Sequence, residues 1–476
     1  MNIKSRIERI TTCLRPAASD PLAAPQTLYD RMAYYHTPGA SIAVINNFEI
    51  EWAQGFGISD TQLESKVTPD TLFQAASISK PIFALAVMKL VQEGKLNLDE
   101  DIHHYLSSWR LPFHEEWKPK LTLRHLLSHM GGLTVPGFPG YQKNEMLPTL
   151  IQILNGEYPA NTAKVNINSL PGTLFRYSGG GTLIAQQLMM DVLKIPFSEM
   201  MRELVFEPLG LDSSSFEYPL PEAMIKRTAT GHPKKGVPVR GDFHIYPNMA
   251  SSGLWTTPTD LAKVGVELLK VLHDKKTPSI LKKDTIETML LSQQLNDQKI
   301  NESQGVGLGL LCNVGLGFFC NGTNEGFHFG HCGWNEGFVS QLRLYKNTGK
   351  GAIVMLNSNE GYPLLNEIMN AIGEEYEWAN STRKIAIDLP DYQEYVGQYI
   401  SKSGVTFQVT VTDDHLMFQY GIQPPLPIFP LSQNTFFSNA VNTEISFERN
   451  EKEVISLTIL QDGQQIHALK ESKQCI

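Results

Sequence analysis

The chain has 476 residues, 42% hydrophobic and 19% charged, which is the balance of a sequence that buries a core; at about 150 residues per domain, more than one module is expected. Its formal net charge of −9 comes without a lysine or arginine cluster, so neither nucleic acid nor a membrane surface is an expected partner. The five cysteines (Cys13, Cys312, Cys320, Cys332, Cys475) are odd in number and lack CxxC spacing, which argues against a disulfide framework and a zinc site; Cys312 and Cys320 are spaced to meet across a hairpin, a pairing that a reducing setting disfavours.

Residues 1–20, MNIKSRIERITTCLRPAASD, have scattered charges and no apolar run of signal-peptide or membrane-spanning length. They read as an N-terminal extension of a cytoplasmic protein. A helix around 21–36 leads to SIAVINN and FEIEWAQGFG, a predicted hairpin turning at Asn46–Asn47. SISKPIFALAVMKLVQE, from Ser77 to Glu93, predicts a buried helix with Pro81 in its first turn and Gly94 at its C-cap. Further helices are predicted over 122–129, 182–193 and 258–272, the last behind Thr257 and Asp260 in capping-box spacing. From about 305 to 357, short apolar runs broken by glycine, GVGLG at 305–309 among them, are antiparallel strand material. Helix and strands early, helices in the middle and strands late give an α+β domain over 21–382 whose sheet is assembled from both ends. A charged, proline-containing linker at 383–391 precedes a separate β-meander over 392–476, with turn signals at Asp413–Asp414 and Asp462–Gly463.

Hydrolysis by a serine needs a base within reach of the hydroxyl and donors for the oxyanion. In SxxK at a helix start, positions i and i+3 share a face and bring the amine to the hydroxyl. Three pairs have this spacing: Ser77–Lys80, Ser279–Lys282 and Ser381–Lys384. The last two lie in polar, lysine-rich stretches, whereas Ser77 stands between the apolar lead-in FQAAS and a buried helix, where burial lowers a lysine pKa toward that of a neutral base. Spacing alone would leave Ser77 a helix cap. PGTLFRYSGGG presents Tyr177 before a glycine-rich bend, where a neighbouring lysinium would depress its pKa; by itself it is a turn residue. FHFGHCGWNEGFVS places His331 and Gly333 at a strand edge that a substrate backbone can approach, although an isolated histidine is more often structural.

In this order, SISK, YSG and HCG resemble the SxxK, YxN and HxG-type KTG motifs of the serine β-lactamase and penicillin-binding family, particularly the class C branch with its esterases and D-stereospecific peptidases. TPDTLFQAAS, LTLRHLLSHMGGL, VFEPLGLDSSSF and SSGLWTTPTDLAKV extend the resemblance over roughly 20–380. It implies a β-lactamase/transpeptidase-like fold: an antiparallel sheet flanked by helices, with a mostly helical subdomain. It also implies an acyl-enzyme on Ser77, proton transfer by Lys80 and Tyr177 with the acylation base open between them, a catalytic His331 that takes the place of the family's KTG lysine in steering the substrate and supporting Tyr177, an oxyanion hole from the backbone N–H groups of Ser77 and Trp334, and substrate contacts at Gly179 and Gly333. No cofactor or metal is implied, and the partner is a small-molecule or peptide substrate. Gly179 stands where the family has asparagine and His331 where it has lysine; both departures point to esters or peptides rather than penicillins. The tail, with YVGQY at 395–399, resembles a lipocalin-like β-barrel.

His125 and His129 have the spacing of a zinc pair but lack the glutamate of HExxH; GVGLG lacks the βαβ context of a nucleotide site, and Cys332 is expected to pack. Two rivals remain: a true β-lactamase or DD-peptidase, and a catalytically silent binding or sensor protein that uses the barrel.

Overall fold

Gly39–Asn46 (β1) is apolar along almost its whole length because both of its faces are covered. Ala43 and Ile45 enter one core with Phe73, Ile82 and Leu261, whereas Ala40, Ile42 and Val44 enter a second with Leu364, Ile368 and Ile372. Period-two alternation thus serves two cores from one strand. The computed structural model describes residues 2–16, 24–112, 117–293, 313–379 and 392–471, the last without 403, 413–414, 422, 424, 439–442, 451–452 and 462–463. GVGLG at 305–309, Cys312, Ser381–Lys384, the linker at 383–391, both meander turn signals and Cys475 lie outside the described residues.

β1 is followed by β2 (Glu49–Asp60) and β3 (Ser65–Lys66); β4 (Phe73–Gln74) pairs with β5 (Trp255–Thr256) as a separate short ribbon. The later strands are β6 (Asn313–Val314), β7 (Phe319–Asn321), β8 (His328–Asn335), β9 (Phe338–Tyr345) and β10 (Lys350–Leu356). The sheet runs β3-β2-β1-β10-β9-β8-β7-β6, every pair antiparallel, and it closes where β1 meets β10 with Ala40 opposite Leu356. The predicted sheet built from both ends is therefore present. Helix Pro258–Leu272 packs on β1, β2, β9 and β10 from one side, and helix Tyr362–Glu375 on β9 and β10 from the other.

Local details differ from expectation for identifiable reasons. The hairpin turns at Asn47–Phe48, both at left-handed φ (51° and 66°), which suits the twist of a two-residue turn. The predicted N-terminal extension is a docked helix, Ile3–Thr12, whose Arg9 bonds Glu375 at 2.6 Å. The helix expected over 21–36 is Leu28–Tyr34 behind a Thr27–Asp30 capping box. Thr257 caps its helix, yet the Asp260 carboxylate turns to the Ser213 N–H and Ser214 hydroxyl instead of completing a box.

The C-terminal strands, β11 (Gly397–Ser401), β12 (Thr406–Thr412), β13 (His415–Tyr420), β14 (Leu426–Pro430), β15 (Thr435–Ser438), β16 (Thr443–Arg449), β17 (Val454–Gln461) and β18 (Gln464–Lys470), form a closed barrel in sequence order. β18 pairs back onto β11, which removes the free edges of a meander. Tyr399, Phe407, Phe418, Phe436 and Phe447 fill the interior.

Candidate active site

From Thr71 to Met88 every residue is buried except Ser77. Ser77 lies in a 3₁₀ turn, Ala76–Ile78, and the α-helix Ser79–Gln92 begins two residues later than expected. Hydrogen bonds fix the turn: Ser79 Oγ donates to the Ala76 carbonyl at 2.6 Å and accepts the Leu254 N–H at 3.0 Å, the Ala75 N–H donates to the Leu254 carbonyl at 2.9 Å, and Ser340 Oγ on β9 donates to the Ala75 carbonyl at 2.9 Å. Ala76 sits at φ 49°, a conformation that a non-glycine residue keeps only where its surroundings impose it. Gly333 on β8 lies against this turn. A Cβ there would come within 2.2 Å of the Ala75 carbonyl and 2.3 Å of Ser340 Oγ, so the absence of a side chain at Gly333 makes room for the turn that presents Ser77.

Lys80 is 4% exposed, with Nζ 2.9 Å from Ser77 Oγ and 2.9 Å from the Ser251 carbonyl. Burial lowers its pKa to about 7. Nζ also stands 4.9 Å from the centre of the Tyr177 ring.

Tyr177 directly precedes Ser178, the N-cap of helix Gly179–Leu193. The predicted glycine bend is instead this helix's first turn: Ser178 Oγ accepts the Gly181 N–H at 3.0 Å and donates to the Thr134 carbonyl at 2.7 Å. The Tyr177 ring packs on His129 at 4.3 Å and stacks on Phe319 at 6.3 Å. Burial pushes the phenol above its ordinary value, partly offset by a hydrogen bond with Ser77. The expected depression by a lysinium does not occur, because burial of the phenol dominates.

His331 is 5% exposed and its Nδ1 lies 2.5 Å from the Cys332 carbonyl. A carbonyl only accepts, so Nδ1 carries the proton and Nε2 is a bare acceptor. Nε2 is buried and has no hydrogen-bond partner among the described residues. Burial and nearby Lys80 push the His331 pKa down to about 3. His129 has the opposite tautomer, since its Nδ1 accepts the Ser178 N–H at 3.2 Å, and burial with Lys80 and His331 holds its pKa well below the usual value.

A Cβ on Gly179 would lie 2.9 Å from Ser251 Oγ and 2.8 Å from the Phe138 ring; these two groups occupy the space that the asparagine of a YxN motif would use. β7 pairs with β8 only as far as Gly330, and His331–Asn335 continue past it. Trp334 is 48% exposed, with its ring 5.3 Å from Tyr362 on the sheet face opposite His331. Asn335 anchors the strand end, its Nδ2 donating to Gln74 Oε1 at 2.8 Å and the Ser252 carbonyl at 3.0 Å.

Ser77, Lys80, Tyr177, Gly179, His331 and Gly333 therefore converge. Sequence reasoning missed His129 and Ser251. The predicted helix over 122–129 is only Leu123–Leu127, and His129 lies past its end at φ 57°. Its imidazole therefore leaves the helical face of His125 and meets Tyr177, a placement that spacing along one helix cannot reveal. Ser251 contributes a backbone carbonyl, for which no residue-type signal exists.

A family model described as Beta-lactamase matches residues 25–371. Penicillin-binding protein 4* of Bacillus subtilis (strain 168) is 21% identical over 464 residues, covering 94% of this chain and 98% of that protein. The octameric penicillin-binding protein homologue from Pyrococcus abyssi has the same fold at TM-score 0.61 and 22% identity, with 93% of this chain and 98% of that one covered. D-alanine carboxypeptidase AmpC from Burkholderia cenocepacia aligns at TM-score 0.57 and 17% identity over 78% of this chain and 99% of its own. No described helix is long and apolar enough to cross a membrane.

Proposed function

Because the chain belongs to the Beta-lactamase family, a family of serine hydrolases, we propose that it hydrolyses small esters or peptides, including peptides with D-amino acids, through an acyl-Ser77 intermediate. The observation that carries this is Lys80: a buried amine 2.9 Å from the only accessible hydroxyl of its segment, with a pKa brought down to about 7. A lysine in that state is part neutral at physiological pH and can take the Ser77 proton as Oγ bonds to the carbonyl carbon. The backbone N–H groups of Ser77 and Trp334 receive the oxyanion. Tyr177, which burial keeps protonated, gives its proton to the leaving nitrogen or oxygen as that bond breaks, and the Lys80 ammonium returns a proton to the phenolate. Water then enters by the same steps in reverse and releases the acid. The raised Tyr177 and lowered Lys80 favour Lys80 as the acylation base.

Turnover of β-lactams is a second reading, favoured by the similarity to Penicillin-binding protein 4*. Gly179 and a neutral His331 count against it, and steady-state nitrocefin hydrolysis would restore it. The aromatic side chains packed inside the barrel count against its use for a ligand in the silent-sensor reading. Intact-mass analysis after fluorophosphonate treatment tests the enzyme reading. One adduct is expected on the wild type and none on Ser77→Ala; equal labelling of the two would refute it.

A further inference from the structure

We propose that His129 is a positioning residue for Tyr177: its carbonyl and its imidazole grip the backbone on either side of that tyrosine, and its ring backs the phenol, which keeps the hydroxyl at Ser77 for proton transfer to the leaving group. This deepens the acyl-Ser77 reading and rests on it.

Residues 176–178 belong to no helix or strand, so no regular ladder of hydrogen bonds fixes the tyrosine between them. His129 supplies the substitute. The Arg176 N–H donates to the His129 carbonyl at 2.9 Å, and the Ser178 N–H donates to His129 Nδ1 at 3.2 Å. The start of the same stretch is tied alongside, where the Gly172 N–H donates to the Met130 carbonyl at 2.7 Å. Both grips come from one residue at a left-handed φ of 57°, a conformation that a non-glycine residue keeps only where its surroundings impose it. The same imidazole lies 4.3 Å from the Tyr177 ring and 6.2 Å edge-on from that of Phe175, while Phe319 stacks on Tyr177 at 6.3 Å. Nδ1 can accept only while it is unprotonated, and burial with Lys80 and His331 nearby keeps the ring neutral. Ser178 is 2% exposed, so removing the acceptor leaves its N–H buried and unpaired and gives the chain a reason to shift. A shift of about 1 Å at a catalytic group can cost a hundredfold in rate.

The test uses two esters that give the same acetyl-Ser77 and differ in their need for a proton. p-Nitrophenolate departs without one, whereas phenolate departs more readily with one, so a misplaced Tyr177 penalises phenyl acetate more than p-nitrophenyl acetate. His129→Phe keeps a ring and deletes the acceptor; its loss of kcat/KM on phenyl acetate is expected to exceed its loss on p-nitrophenyl acetate at least about fivefold. Tyr177→Phe should show the same bias, and the double variant no more bias than Tyr177→Phe alone, because the two substitutions remove one function. His129→Asn, which returns an acceptor near the place of Nδ1, is expected to recover most of the phenyl acetate rate. Equal losses on the two esters, or additive effects of the two substitutions, would mark His129 as part of the packing only and overturn the proposal, while fluorophosphonate labelling of Ser77 would keep the acyl-serine reading. Absence of any Ser77 labelling on the wild type would remove that reading and this proposal with it. Should His129→Phe fail to fold, His129→Gln, whose acceptor reaches the place of Nε2 instead, is compared with His129→Asn under the same expectation.

Discussion

Ser77–Lys80 and Ser279–Lys282 have the same spacing in the same chain and opposite environments. In the first, a 3₁₀ turn delivers the serine to a helix whose first residues are buried, and the amine meets the hydroxyl at 2.9 Å. In the second, the serine precedes any helix and bonds Glu267 Oε1 at 2.5 Å and the Leu281 carbonyl at 2.6 Å, while Lys282 is an exposed N-cap of helix Lys283–Leu290. An SxxK pair is thus a motif only where the backbone is already turning and the lysine cannot reach water. Depressing a lysine pKa takes exclusion of solvent, and spacing alone does not provide it.

The sharpest way to break this comparison is to exchange the serines for alanine. Ser77→Ala is expected to lose ester or peptide turnover altogether, and Ser279→Ala to stay within about twofold of wild type, the difference between losing a nucleophile and altering a surface position. Next, Lys80→Ala and Tyr177→Phe should each lower kcat at least about a hundredfold, and Lys282→Ala should not; near-normal turnover by Lys80→Ala or Tyr177→Phe removes that residue from its role. Gly333→Ala, which drives a methyl group into the Ala75 carbonyl, is expected to reduce kcat/KM by roughly tenfold to a hundredfold by displacing the Ser77 turn. A crystal structure of that variant with Ala75–Ile78 unmoved would contradict the account.

The pH profile gives a smaller, graded effect. Only neutral Lys80 accepts a proton, so kcat/KM should fall about tenfold per unit as pH drops below about 7 and should level off above it; a profile flat from pH 5 to 8 would exclude Lys80 as the base. Stability should follow the same group. In the unfolded chain the lysine keeps its proton to about pH 10, whereas the folded chain releases it near 7. The folded state thus bears the whole penalty of a buried ammonium below pH 7, and stability is regained as pH rises from 7 toward 10. Lys80→Met should therefore be inactive yet melt roughly 2 °C or more higher at pH 6, a shift that differential scanning fluorimetry can follow.

Much of this molecule was legible in the residues themselves. Apolar runs, caps and glycines are local signals, and they marked the β1–β2 hairpin, the buried helix after Ser77, the late strands and the β-rich tail. The resemblance of SISK, YSG and HCG to a known set then placed Ser77, Lys80, Tyr177 and His331 in one site. Tertiary structure alone decided what surrounds them, because those contacts join residues far apart in the chain through groups without a residue-type signature. The Ser251 carbonyl holds Lys80, His129 leaves its helix to pack on Tyr177, the Cys332 carbonyl selects the His331 tautomer, and Gly333 yields its space to the Ser77 turn. The candidate groups were named by their residue types and by the resemblance of their motifs; their protonation followed from burial, and burial is a property of the folded chain.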